Sequence, residues 1–383
     1  MPFYRPAIPP GFQESAAGRK GANNRGMRKS SRIRLISRGL IVIALLALLA
    51  GAGLVVFLSV TELHPPRHRE LSVEGTGVAM DTSRGEFTLL TWNIGYAGLG
   101  AGQDFFYDGG RMVRPSKEMW QANFGGIRER IKGNDSVDFI LLQEVDRNSK
   151  RSWFSDELAG LGEVLPGFSR TFSVSYDCRY IPVPLFEPMG RMLSGIALFS
   201  RFRPEKAETG YYGTEAGWPK RLVYLKRCYI LLRYDLGRGK QLVLINTHNS
   251  AYDSSGVMRI REMTMLDSLM KAEYARGRYV IAGGDWNINP RGFDPQQVTT
   301  GDAVSRLEPP VPAGLFRGWE FAFDHQAVTN RNVNESYSKG SVGTTVIDFF
   351  VVSPNLEVTA IKTLPEHFSF SDHEPVRIRV KIK

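Results

Sequence analysis

The stretch Gly283-Gly284-Asp285-Trp286-Asn287-Ile288-Asn289-Pro290 follows directly on the apolar run Tyr279-Val280-Ile281-Ala282. A run of β-forming residues that stops at two glycines reads as a buried strand ending in a sharp turn. Side chains alternate along a strand with period two, so Asp285 and Asn287 are expected to point the same way. That sets an acceptor for a water proton beside an amide donor for a phosphate oxygen. Alone the motif is weak, because Asp and Asn after glycines are ordinary turn formers. Its weight comes from the segments that accompany it.

From about residue 85 the sequence alternates strands and helices. Strands are expected at 87–92, 137–142, 194–199, 222–234, 241–247, 346–352, 357–363 and 376–382, and helices at 116–132 and 255–275. In the second helix Val257, Ile260, Met263 and Leu266 have helical spacing and are expected to face a core. Many strands with few helices between them predict an α+β fold, two sheets packed face to face with helices outside. No composition break divides residues 85–383, which are therefore read as one domain, with residues 61–84 as a linker.

The chain has 383 residues, 42% hydrophobic and 23% charged, with a formal net charge of +10. The charge is uneven. Residues 1–70 hold 11 Lys and Arg against three Glu, a net of +8, so the remaining 313 residues carry a net of only +2. That remainder lacks the global basic footprint of a nucleic-acid binder. Residues 1–38 read as a basic flexible tail. Residues 39–60 contain no charge over 22 positions and, as a helix, span ~33 Å, enough for a ~30 Å hydrocarbon core. A cleaved signal peptide competes with this reading, but the apolar core exceeds the usual ~7–15 residues, which favours a transmembrane signal-anchor. Eight Lys/Arg lie in residues 19–38, and only Arg67 and Arg69 follow closely on the other side. The positive-inside bias then puts the N-terminus in the cytoplasm and the rest of this single-pass chain outside it. Cys178 and Cys228 are the only cysteines; a pair and two buried free thiols are equally compatible with their spacing.

Six strand-end segments gather the chemically useful side chains. They are Thr91-Trp92-Asn93, Gln143-Glu144-Val145-Asp146, Thr247-His248-Asn249, Gly284-Asp285-Trp286-Asn287, Ile347-Asp348, and Ser371-Asp372-His373. Each borders an apolar strand, so all can open into one crevice at a sheet end. As a set, with Ser194-Gly195-Ile196-Ala197-Leu198-Phe199 as an inner strand, they resemble the endonuclease/exonuclease/phosphatase superfamily over about residues 85–383. That group includes deoxyribonuclease I-like nucleases, inositol-polyphosphate 5-phosphatases and neutral sphingomyelinases. The resemblance implies a four-layer α/β sandwich of two mainly antiparallel sheets, preceded here by the N-terminal transmembrane helix. It also implies a metal-dependent hydrolase of phosphoric esters.

The chemistry of the residues agrees with that implication. A hard ion such as Mg²⁺, with Mn²⁺ as the alternative, takes oxygen ligands and keeps several waters. Glu144 is the first candidate ligand, and the resemblance adds Asn93 and Asp372. Asp285 is expected to deprotonate the attacking water, and Asn287 to donate to a non-bridging oxygen. His248 and His373 are expected against the phosphate, with Asp348 orienting His373 and holding its charge. His248 in its Asn-Thr-His setting is similar to the nuclease, sphingomyelinase and phosphatase branches rather than to the repair endonucleases.

For substrate contacts the candidates are Arg111, Arg151, Arg221 and Asp108, with Arg114 and Lys220 beside them. Two inserts, residues 104–110 and 180–188, carry aromatics expected to rim the site, either meeting a lipid interface or packing as a loop core. Because the charge after residue 70 is near neutral and the site is expected to face outward, a lipid headgroup or small phosphodiester is placed ahead of DNA. An extracytoplasmic deoxyribonuclease I-like nuclease is the alternative, and a non-catalytic binding module on the same fold is the reading from a different class. The expected partners are membrane lipid, through the N-terminal helix, and a phosphoester substrate; nucleic acid is not favoured.

Overall fold

The structure, a computed structural model, describes residues 18–213, 216–253, 255–299, 306–340 and 342–383, with side chains from residue 34 onward. It divides after Val60 into two units. The first contains one helix, α1 (Gly18–Val60), in which Arg34–Val60 is long and apolar enough to cross a membrane. The basic stretch from Gly18 to Arg38, expected as irregular tail, is therefore helical. Lys and Arg are good helix formers, and extending an existing helix costs far less than starting one. Residues 1–17 of that expected tail lie outside the described residues.

In the second unit the strands and helices run β1 (His68–Glu70), β2 (Glu74–Gly75), β3 (Glu86–Asn93), α2 (Lys117–Gly133), β4 (Phe139–Asp146), α3 (Glu157–Val164), β5 (Ser169–Ile181) and β6 (Gly190–Ser200). Then come β7 (Lys206–Tyr211), β8 (Cys228–Asp235), β9 (Gln241–His248), α4 (Val257–Ala275) and β10 (Tyr279–Asp285). The last are β11 (Glu320–Ala322), β12 (Asn330–Arg331), β13 (Thr344–Thr345), β14 (Asp348–Val352), β15 (Leu356–Thr363) and β16 (Val376–Ile382). One seven-stranded sheet has the order β1-β7-β8-β9-β10-β14-β11 and the other β15-β16-β3-β4-β6-β5-β2. Each contains a single parallel pair, β9 with β10 and β3 with β4; the other neighbours are antiparallel.

The layers follow from where apolar side chains fall. Phe87, Leu89, Leu141, Leu198, Ile230, Leu244 and Ile281 fill the space between the sheets. Met263, Leu266 and Met270 of α4 cover the outer face of the first sheet with Val243 and Val280. Trp120, Phe124, Ile127 and Ile131 of α2, at alternating spacings of four and three, cover the second. The α2 start is fixed by Ser116, whose side chain accepts from the Met119 N–H. This is the expected four-layer arrangement.

Three sequence expectations are corrected. Residues 61–84 are not a plain linker: β1 pairs with β7 and β2 with β5, so this segment adds an edge strand to each sheet. In α4, Val257 and Ile260 are exposed; the first turn buries Arg259 instead, whose guanidinium donates to the Asp253 carbonyl and pairs with Glu308. The strand at 279–282 does not stop at the glycines but runs through them to Asp285. Their role is close approach: a Cβ on Gly284 would sit 1.9 Å from the Thr247 oxygen, and one on Gly283 2.4 Å from the Phe350 ring. Both cysteines are buried free thiols.

Candidate active site

Strand register builds the centre. Asp285 lies beside His248 across the parallel β9–β10 pair and opposite Asp348 across the antiparallel β10–β14 pair, so one row of three strands carries all three side chains. From the facing sheet, Asn93 ends β3 and donates through Nδ2 to Asp285 Oδ2 at 3.0 Å. Gln143 Nε2 donates to Asn246 Oδ1 at 2.7 Å, a second buried link between the sheets. Glu144 follows at a bulge where β4 slips against β6, with φ +55, which turns its carboxylate out of the pleat. Asp372 and His373 arrive on the segment before β16, and Trp92 Nε1 donates to the His373 carbonyl.

These groups share a cavity of about 590 Å³ whose lining includes Asn93, Glu144, His248, Asp285, Asn287, Asp372 and His373. Asp285 is its hub. His248 Nε2 stands 3.3 Å and His373 Nε2 3.8 Å from Asp285 Oδ2, while Oδ1 accepts the Asn287 N–H at 3.0 Å. Asn287 therefore reaches the cavity through a turn closed on Asp285, at φ +52, and not by strand alternation. Its Nδ2 donates to the Asn249 carbonyl at 3.0 Å, leaving the second amide hydrogen for a ligand. Burial raises the Asp285 pKa, and His373 works against the rise.

The two histidines differ in charge. Burial, reinforced by Arg227, His373 and Arg151, holds His248 well below the usual imidazole value, so it is neutral. Burial also pulls on His373, but Asp348, Asp372 and Asp285 overcome it and push its pKa up to about 10. His373 Nδ1 meets Asp348 Oδ2 at 2.8 Å, and the Asn330 side-chain amide lies 2.9 Å from its Nε2. The two positions therefore differ: His373 carries the charge and His248 does not.

Two groups of acids offer themselves to a cation. The ligand atoms of Asp285, Asp348 and His373 lie within 4.8 Å of one another, but the imidazole already bridges the two carboxylates. Glu144 and Asp372 face the cavity with Asn93 as a second acid pair, and the Glu144 charge helps burial raise the Asp372 pKa. Glu144 is 24% exposed, and its ion-pair contact among the described residues is a long 3.8 Å to the neutral His248. Two under-compensated carboxylates beside an amide oxygen suit a hard divalent ion.

Of the substrate candidates, Arg151 and Asp108 line the cavity, as does Lys220. Arg151 is fixed by two 3.0 Å bonds to Asp146 and lies over the Tyr96 ring; Asp108 accepts from the Tyr252 hydroxyl at 3.1 Å. Arg111 and Arg221 are not in the cavity lining. Arg111 is exposed, and its backbone N–H donates to Asp104; Arg221 pairs with Glu62 at 3.6 Å. Arg114 stacks over Trp153 instead. Sequence reasoning missed Arg227, Arg306, Asn330 and Tyr252, all in the lining: Arg227 falls in the expected strand 222–234 but in no motif, and the other three sit in segments without strand or helix periodicity. Of the inserts, Phe105, Tyr107, Ile181 and Val183 line the cavity, while Leu185 and Phe186 are 80% and 97% exposed.

A family model, Endonuclease/Exonuclease/phosphatase family, matches residues 90–373, and the chain belongs to this family, whose members hydrolyse phosphoesters. No curated protein matches the sequence. Among solved structures, ANGEL2, a 2′,3′-cyclic phosphatase, in complex with adenosine-2′,3′-vanadate, is 16% identical, with 82% of this chain and 99% of that chain covered at a TM-score of 0.52. A family protein from Leptotrichia buccalis C-1013-b is 14% identical, covering 77% and 100%, at 0.50. One from Beutenbergia cavernae DSM 12333 is 17% identical, covering 78% and 72%, at 0.49. At these identities the first two likenesses speak to the fold alone.

Proposed function

We propose that the chain is a membrane-anchored, divalent-metal-dependent phosphoesterase that cleaves a phosphodiester or phosphomonoester by attack of water, acting on a lipid headgroup or small phosphodiester ahead of DNA. The setting of Asp285 carries this reading: a buried carboxylate held by Asn93, faced by two histidines of different charge, beside two acids open to the same cavity.

Asn93, Glu144 and Asp372 would hold Mg²⁺ or Mn²⁺, which supplies positive charge that polarises the phosphoryl group. Asp285 takes a proton from the attacking water, and its raised pKa makes it a better base than an ordinary carboxylate. The water oxygen bonds to phosphorus while the ester P–O bond opens, and the leaving oxygen takes up a proton from solvent, so that one water is consumed per ester cleaved. Asn287 and neutral His248 donate to non-bridging oxygens, and His373, held charged by Asp348, faces the growing negative charge.

Helix length and apolarity in Arg34–Val60 support the anchor, and the basic excess before it supports a cytoplasmic N-terminus. Near-neutral charge after residue 70 and the exposed Leu185 and Phe186 beside the cavity support a lipid over a polynucleotide. The nuclease reading draws on the Arg151, Arg227, Arg306 and Lys220 side chains that line the cavity. Full-length protein assayed with Mg²⁺ at ~0.15 M salt, where non-specific phosphate attraction is screened, decides between them. Faster turnover of sphingomyelin or phosphatidylcholine vesicles than of plasmid DNA is expected; the reverse order makes it a nuclease. Tight binding without turnover of either, or of bis-p-nitrophenyl phosphate, makes it a binding module.

A further inference from the structure

In the sequence Glu62 comes two residues after the uncharged stretch 39–60. Two residues of fully extended chain reach at most ~7 Å. Glu62 is not loose: its side chain is 3% exposed and clamped by Lys226 Nζ at 2.8 Å and Arg221 Nε at 3.6 Å. Lys226 also donates to the Arg221 carbonyl at 3.3 Å, which ties this clamp to the turn Lys220–Val223. That turn is braced from the other side, where the Tyr176 hydroxyl donates to the Val223 carbonyl at 2.8 Å. Lys220, Val223, Tyr224, Leu225 and Arg227 all line the catalytic cavity. A wall of the cavity is thus tied to Glu62.

The exposed rim of this wall has the composition of a membrane-surface contact. Trp218 is 65% exposed, an unusual state for the largest apolar side chain, and exposed Lys220 and Arg221 follow it. Tryptophan settles at the headgroup level of a bilayer, and lysine and arginine are drawn to anionic lipid.

Given an anchored phosphoesterase, as proposed above, we infer that the face carrying Trp218, Lys220 and Arg221 rests on the bilayer, and that the cavity takes a phosphoester lipid from the plane of that same membrane. Glu62, held against this wall, follows the uncharged stretch by only two residues, which favours a wall close to the surface. The occupant of this face is the lipid headgroup layer.

Full-length protein with single cysteines at Trp218→Cys, Val78→Cys or Leu46→Cys, each labelled with a polarity-sensitive fluorophore, is reconstituted into phosphatidylcholine vesicles containing phosphatidylglycerol and doxyl-labelled lipid. Both native cysteines are buried, and unsubstituted protein serves as the blank. Val78 is 59% exposed and bridges to Phe202, at the sheet end opposite the cavity. Quenching is expected at positions 46 and 218 and not at 78. Trp218→Ser is expected to slow turnover of vesicle lipid about tenfold, ~1.4 kcal/mol, and to leave soluble bis-p-nitrophenyl phosphate turnover unchanged. Quenching at 46 without quenching at 218 overturns the docked face while the anchor stands. Absence of quenching at 46 overturns the anchor and this inference with it. Equal loss on both substrates in Trp218→Ser overturns capture from the membrane plane.

Discussion

His248 and His373 stand 3.3 and 3.8 Å from one oxygen of Asp285, yet their charges are set oppositely. The largest part of the difference is Asp348, which meets His373 at 2.8 Å, whereas among the described residues the nearest carboxylate to His248 is Asp285 at 3.3 Å and the Arg227 charge opposes its protonation. For His373, whose folded pKa of about 10 lies above the unfolded ~6.5, the stabilising contribution is full below pH ~6.5 and is lost as pH rises toward 10. For His248, whose folded pKa is depressed, the contribution is present above ~6.5 and is lost on acidification. In metal-free protein, imidazole ¹⁵N shifts at pH 7.5 should show His373 protonated on both nitrogens and His248 on one. In Asp348→Asn, His373 should lose its charge at that pH. Two histidines titrating together near pH 6.5 would contradict the assignment. The sequence made both residues visible as neighbours of strand ends, but not their charge, which depends on an Asp 25 positions away in the chain.

At the scale of elements, the pairing of β9 with β10 is the joint on which the row His248–Asp285–Asp348 depends. Gly284, at φ +149 with no space for a Cβ against Thr247, lets the two strands lie this close. Gly284→Ala should destabilise by about 2 kcal/mol or more, through overpacking and backbone strain. Gly125→Ala, on the exposed face of α2 where nothing lies within 4 Å, should instead stabilise by ~0.5–1 kcal/mol. Urea unfolding of the two variants in detergent measures both; equal midpoints would refute the packing account. The glycines were legible as special, but as a turn. Only the register shows that they sit inside a strand, because close approach is a property of the neighbour and not of the glycine. In the same way, β1 and β2 were hidden in the expected linker, being too short to show alternation and recognisable only from the edges they complete.

For the molecule as a whole, the layered fold and most of its long strands were readable because apolar runs and their spacing are set by burial on each sheet face. So were the polar strand ends that the register brings together, since Asn, Glu, His and Asp there are spelled out locally. The cavity's basic lining was not. Arg227, just ahead of β8, and Arg306 belong to no motif and are recognised only from the cavity they line, and Arg111 and Arg221, equally plausible on paper, are turned elsewhere. The central claim is that Asp285 is the base of a metal-dependent phosphoester hydrolysis. Its most direct test is Mg²⁺-dependent turnover of bis-p-nitrophenyl phosphate by full-length protein, Asp285→Asn and Glu144→Gln, each checked for an unchanged unfolding midpoint. The account predicts that Asp285→Asn lowers kcat by about 10²–10⁴ at saturating Mg²⁺. It predicts that Glu144→Gln raises the Mg²⁺ concentration needed for half-maximal rate about 10–100-fold. Folded variants that keep wild-type turnover and the wild-type metal requirement would contradict it.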